Sequence, residues 1–136
     1  MKEHTQITYS LNEHLQGNEL ADLFKASGIN RPIDDLKRLQ KMIDHANLLV
    51  TAYDGEKLIG IARALTDFSY CCYLSDLAVH QDYQRNGIGK KLISLVHQEI
   101  GDECTFLLLS APSAMDYYPQ TGFAKADNAF TIIRKQ

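Results

Sequence analysis

The residues with the clearest capacity for chemistry are Gln84-Arg85-Asn86-Gly87-Ile88-Gly89, followed by Lys90 and Lys91. Gly87 and Gly89 carry no Cβ, so a ligand can come close to the backbone there. If a helix begins at this point, its first N–H groups lack intrahelical partners, and the helix dipole adds partial positive charge. Arg85, Lys90 and Lys91 bring full charges to the same place. The chemistry that fits is capture of a pyrophosphate. The pattern is neither a Walker A loop, which ends in Gly-Lys-Ser/Thr, nor the three-glycine dinucleotide fingerprint. Its plainer reading is a turn whose glycines only permit tight packing.

The choice depends on the elements that must hold the loop. Residues 73–79 alternate and are rich in strand formers, so they read as β. Ile88, Leu92, Leu95, Val96 and Ile100 recur at helical spacing, so the glycines open a helix. Residues 105–110, Thr-Phe-Leu-Leu-Leu-Ser, form a short apolar run expected of a strand buried on both faces. Strand, helix and strand then make a βαβ unit with parallel strands and a right-handed crossover. Residues 114–121 are expected to form one short helix leading to Gly122-Phe123.

Within that last stretch lies Tyr117-Tyr118-Pro119-Gln120-Thr121-Gly122-Phe123. Together the two motifs resemble the GNAT family of acyl-CoA-dependent N-acetyltransferases. The cofactor loop of that family reads Gln/Arg-x-x-Gly-x-Gly/Ala, and its next motif commonly reads Phe-Tyr-x-x-x-Gly-Phe, matched here by Tyr117, Tyr118, Gly122 and Phe123. The resemblance covers about residues 48–123. Pro112 departs from the usual polar opening after the second strand. Pro119 follows the second tyrosine, where it kinks or starts a helix rather than sitting inside one.

The resemblance implies acetyl-CoA as cosubstrate. It implies that the backbone of Leu77, Ala78 and Val79 pairs with the pantetheine amides, a form of strand addition by a ligand. The pyrophosphate is then expected on Gln84, Arg85, Asn86, Gly87, Ile88, Gly89 and Lys90. An alkylamine with pKa about 10.4 is neutral in only about one molecule per few thousand at pH 7, so a proton must be removed before attack. The oxyanion needs a donor, which a backbone N–H near Leu77 to Val79, freed by a bulge, would supply. The departing thiolate gains from a proton, and Tyr118 matches the family's general acid. Asp76 is the candidate base or amine anchor, although strand alternation gives either face nearly equal odds. Tyr117 reads as core.

Asp67, Phe68, Tyr70 and Tyr73 cluster at the turn into the strand; one reading is the lining of an acceptor pocket for an aromatic or cationic amine through cation–π contact, and the preferred one is ordinary strand and loop residues. Residues 27–35 and 66–70 are expected to wall the acceptor pocket. Arg63 reads as a surface or dimer-edge charge, and His97 as solvated.

The 136 residues suit a single domain over residues 1–136, with no internal repeat or low-complexity stretch. A net charge of −3 argues against a nucleic-acid partner. No apolar run approaches a membrane span, and the basic-then-apolar build of a signal peptide is lacking. Cys71 and Cys72 are adjacent in a strand and Cys104 stands alone, so reduced thiols in the cytoplasm are expected. The five His have no ligand spacing, so no metal is expected.

The remaining elements read as a strand over residues 6–11, a helix over 19–27 stopped by Gly28, and a helix opening at Pro32 with Ile33, Leu36, Leu39, Met42 and Ile43 on its apolar face. A hairpin turning at Asp54-Gly55 and a closing strand over 129–134 complete the order β-α-α-β-β-β-α-β-α-β. The fold class is α/β (α+β), a mixed, mostly antiparallel sheet with helices on both faces, as in the GNAT fold. The expected function is direct transfer of acetyl from acetyl-CoA to a primary amine, a small molecule by preference, in a homodimer. The alternatives are a non-catalytic acyl-CoA sensor and an enzyme that acetylates protein lysines or chain termini.

Overall fold

A computed structural model describes residues 6–136. Five strands form one sheet in the order β1-β2-β3-β4-β5. They are β1 (Ile7–Leu11), β2 (Leu48–Asp54), β3 (Lys57–Thr66), β4 (Cys71–Val79) and β5 (Thr105–Leu108). The first four pair antiparallel and β5 lies parallel to β4, so the sheet is mixed and mostly antiparallel. Three helices cover it: α1 (Gly17–Ser27), α2 (Leu36–Asp44) and α3 (Ile88–Ile100).

The two faces build separate cores. Against α3 lie Val50, Ala52, Ile59, Ala62, Ala64 and Leu74, with Ile88, Leu92 and Val96 of the helix. Against α1 and α2 lie Leu49, Ile61 and Ala78, with Leu20, Phe24, Leu39 and Ile43. Neighbours such as Ile61 and Ala62 serve opposite faces because strand side chains alternate. Each fully buried aliphatic side chain contributes about 1.5–3 kcal/mol over its exposed state. Small residues set how closely α3 approaches. A Cβ on Gly60 would lie 3.2 Å from Leu92 and 3.4 Å from Ile88.

Local signals account for the element ends. Glu19 accepts from the Gln16 N–H at 3.0 Å at the start of α1, and Gly28 closes that helix in the left-handed region at φ 83°. Asp35 caps α2 by accepting from the Arg38 N–H at 3.1 Å. That cap moves the start of α2 past Pro32 and Ile33, which lie in a preceding turn rather than in the first helical turn. The β2–β3 hairpin turns where expected, with Gly55 at φ 61°.

Two expected elements do not form, and β5, expected to be buried on both faces, alternates between exposed and half-buried residues. Residues 114–121 form no single helix; two short 3₁₀ turns, Pro112–Ala114 and Tyr118–Thr121, replace it. Each carries a proline in its first positions, which supplies no N–H to continue an α-helix through the stretch. The closing strand over residues 129–134 is absent. Those residues join no sheet, and every residue from 124 to 136 is exposed.

Candidate active site

The site begins where two parallel strands part. The β4–β5 ladder runs from Cys71 opposite Thr105 to Leu74 opposite Leu108 and stops. β4 continues to Val79 and pairs there with β3 alone, Asp76 facing Arg63 and Val79 facing Gly60. The pairing slips at Arg63/Ala64, so Ser75 is an extra residue, a bulge. Beyond it the His80 N–H donates to Ile59 O at 2.8 Å. Backbone groups alternate in direction along a strand, so those of Ala78 also face β3, whereas those of Leu77 and Val79 face the opening. Among the described residues their N–H groups have no backbone partner on that side.

The bulge also re-aims side chains. Leu74 and Cys72 face the α3 core, while Asp76 and Ala78 turn to the α1/α2 side. Asp76 is almost fully buried, and both its oxygens are engaged. The Arg31 Nε donates to one at 2.6 Å, and the Arg63 Nε donates to the other. Arg31 also donates to Ser75 O at 2.8 Å and Arg63 to Ser75 Oγ at 2.9 Å, so the two guanidiniums clamp the bulge. Arg63 is therefore a buried structural charge rather than a surface one.

From Val79 the chain runs through a 3₁₀ turn, Gln81–Tyr83, into the glycine loop. Tyr83 is fully buried and its hydroxyl donates to Asp54, which anchors the loop to the hairpin. The Gln84 side chain donates to Val79 O at 2.8 Å and Ser27 O at 3.2 Å, joining the β4 edge to the end of α1. Asn86 donates to Tyr83 O at 3.1 Å and Gln84 O at 3.0 Å. Arg85 and Gly87 take left-handed conformations, at φ 66° and 79°. For an arginine that region is costly and is kept where the surroundings over-determine it.

Gly87 caps α3, whose first intrahelical bond is Lys91 N–H to Gly87 O at 3.0 Å. The preceding N–H groups of Ile88, Gly89 and Lys90 thus remain available to an anion. A Cβ on Gly89 would lie 2.8 Å from the Tyr117 hydroxyl, so a larger residue there would require that ring to shift. Tyr117 is a partly exposed residue whose hydroxyl stands over the first turn of α3, not a core residue.

Tyr118 sits between the loop and β5. Its ring meets Phe123 edge-on with centroids 5.9 Å apart, and Phe123 in turn packs on Phe106 of β5 at 5.0 Å. Burial raises the Tyr118 phenol above its ordinary value, the neighbouring Tyr117 raises it further, and the charge on Arg31 pulls the other way. The phenol therefore keeps its proton throughout the neutral range. Tyr118 packs against the α3-side core, and Arg31 holds the bulge through Asp76 and Ser75 O.

The wall expected from residues 66–70 is elsewhere. That turn precedes β4, some six strand residues from Leu77, on the order of 20 Å. Asp67 serves it structurally, accepting from the Ser69, Tyr70 and Cys71 N–H groups at 2.9, 2.8 and 3.1 Å. The expected wall at residues 27–35 does send Arg31 to the bulge. Arg31 was invisible to sequence reasoning because a loop arginine has no periodicity. The only trace of Arg63 was a charge inside an otherwise apolar strand.

The three cysteines are free. Burial pushes the Cys72 thiol up to about 11, with a Thr66 hydrogen bond opposing it, so that sulfur is not nucleophilic at neutral pH. Among the described residues no group of three or more His, Cys, Asp or Glu could hold a metal ion. No helix among them is long and apolar enough to cross a membrane.

Comparison with known proteins gives one family. The chain is 32% identical over 126 residues to an uncharacterized N-acetyltransferase, ycf52, of Gracilaria tenuistipitata var. liui, covering 86% of this chain and 66% of that protein. It therefore spans slightly under two thirds of that relative's length. A putative acetyltransferase from Deinococcus radiodurans R1 shares the fold at TM-score 0.79 and 22% identity, covering 98% of this chain and 92% of the other. The aminoglycoside N-acetyltransferase AAC(6')-Iy, solved in complex with CoA, shares it at TM-score 0.69 and 15% identity, covering 96% and 95%. Residues 17–131 match the family model of the acetyltransferase (GNAT) domain, and the chain belongs to the GNAT acetyltransferase family.

Proposed function

We propose that this chain is an acetyl-CoA-dependent N-acetyltransferase that acts on a small-molecule primary amine by direct transfer. One observation carries the reading. The open backbone edge of Leu77 and Val79 leads through the pinned loop to the uncapped N-terminus of α3. An extended chain of amides ending in a pyrophosphate matches that sequence of groups. A solved CoA complex within the same fold supports the donor, and the aminoglycoside substrate class in that protein's name supports a small amine as acceptor.

Acetyl-CoA supplies an acyl group activated as a thioester. Leu77, Ala78 and Val79 hold the pantetheine arm along the strand edge, Leu77 and Val79 through backbone groups. Ile88, Gly89 and Lys90 donate N–H groups to the pyrophosphate, and Arg85 and Lys90 add charge. Gln84, Asn86 and Gly87 hold the loop in shape. The Leu77 N–H, just past the bulge, donates to the oxygen that becomes negative during transfer. Tyr118 gives its proton to the departing sulfur. Asp76 positions the bulge through Arg31 and Arg63. With its oxygens so occupied, the amine's proton leaves through water. Direct attack needs no acyl-enzyme, consistent with the inert Cys72. Three free thiols fit a reducing, cytoplasmic setting.

The test is a thiol-release assay with acetyl-CoA across a panel of diamines, amino sugars, aromatic amines and lysine peptides. Amine-dependent release with the small amines, well above that with the peptides, is the expected outcome. Release with peptides alone would refute the small-molecule acceptor.

A further inference from the structure

Arg31 and Arg63 share a single carboxylate, that of Asp76, so the group carries a surplus positive charge. Among the described residues neither arginine has a second carboxylate within ion-pair distance. The surplus is not enclosed evenly. The Asp76 side chain is wholly buried and that of Arg63 is 9% exposed, whereas Arg31 keeps 27% of its side chain open. A guanidinium carries five N–H groups. On Arg31 the Nε donates to Asp76, one terminal nitrogen to Asn30 O at 2.7 Å and the other to Ser75 O at 2.8 Å. Each terminal nitrogen therefore keeps one N–H unused. A partly exposed guanidinium with N–H groups to spare and surplus charge is a partner for a carboxylate. Its place fits that use. Arg31 lies in the loop between α1 and α2 and bonds Ser75, two residues before Leu77, roughly 7 Å along the strand. Its charge also pulls the Tyr118 phenol down against burial, and no other permanent charge among the described residues shifts that group.

We propose that Arg31 selects the acceptor by its carboxylate: the substrate is an amino acid, with its amine at the bulge and its carboxylate on the unused N–H groups of Arg31. This rests on the acetyl-transfer reading above and names the class of amine within it. An amine and a carboxylate separated by a few bonds span the interval between the Leu77 N–H and the Arg31 guanidinium. The contact is charge-assisted and only partly open to water, so it is screened less than a pair at the surface. Selection also works by exclusion. The surplus charge repels a second ammonium close to the reacting amine, which makes diamines and amino sugars weaker acceptors than amino acids. A lysine inside a peptide has no carboxylate of its own to offer and is weaker too.

Thiol release with matched pairs decides it: leucine against leucinamide, β-alanine against β-alaninamide, and lysine against lysinamide. The amide has the more acidic ammonium and so presents more free amine, which means that a preference for the acid cannot come from basicity. The wild-type chain should favour each acid over its amide by roughly 10-fold or more in kcat/KM, chiefly through KM. Arg31→Gln should abolish that ratio, and Arg31→Lys, which keeps the charge, should restore part of it. A loosened bulge would slow acid and amide alike, so the ratio separates recognition from structural damage. Amides turned over as well as acids by the wild-type chain would overturn the proposal and leave the acetyltransferase reading standing. So would an acid preference that Arg31→Gln leaves intact. Thiol release with no amine of any kind would overturn both.

Discussion

Tyr118 is the residue whose chemistry the proposed mechanism leans on most. Burial raises its phenol, so the protonated form persists past the ordinary tyrosine range near pH 10. Acid assistance should then be constant from neutrality to about pH 10 and decline only above it. Replacing Tyr118 with Phe keeps the ring against Phe123 and removes the proton. We expect turnover to fall about 100-fold, with acetyl-CoA affinity unchanged. Equal turnover in the two proteins, measured by thiol release, would take Tyr118 out of the reaction. Asp76 is the contrasting case. With two guanidiniums on its carboxylate, Asp76→Asn should cost about 3 kcal/mol or more in urea denaturation, because two arginines lose their counter-charge. An unchanged denaturation midpoint with turnover abolished would instead return Asp76 to the proton transfer. Sequence alternation alone left the face of Asp76 undecided, since the Ser75 bulge that reverses it depends on pairing with β3.

At the scale of elements, the β3–β4 turn offers a pH-dependent test separate from catalysis. Three backbone N–H groups hold the Asp67 carboxyl at about 2, well below its ordinary 3.8. A depressed folded-state value means stabilisation that is present above 3.8 and lost as pH falls through about 2. Thermal melts should therefore place wild type above Asp67→Asn from pH 4 upward, with the gap closing toward pH 2. A gap independent of pH would mean that the charge of Asp67 does not hold the turn. The elements most readable in the sequence were those with their own signals: α3 from its periodicity, the hairpin from Asp54-Gly55, and α1 from Gly28. The least readable were governed by competition. Asp35 displaced Pro32 as the start of α2, and Pro112 and Pro119 broke an apparent helix into 3₁₀ turns. The loop motif was legible, but its pinning by Gln84, Asn86 and Tyr83 needed three dimensions.

Over the whole molecule, the sheet is a wedge. Antiparallel pairing from β1 to β4 makes a rigid floor, the parallel β5 joins only the first part of β4, and the gap beyond is the proposed donor site. The strand expected at residues 129–134 does not form, and those residues join no sheet. Strand propensity says that a segment fits a sheet, not which edge receives it. The most direct test of the central claim, that this wedge and its glycine loop hold an acyl-CoA, is a calorimetric titration with acetyl-CoA, with ATP and NAD as controls. One acetyl-CoA bound per chain, with neither control binding, is the result expected. No binding of acetyl-CoA, or binding of ATP or NAD in its place, would contradict the account and leave the loop as packing or as a site for another ligand.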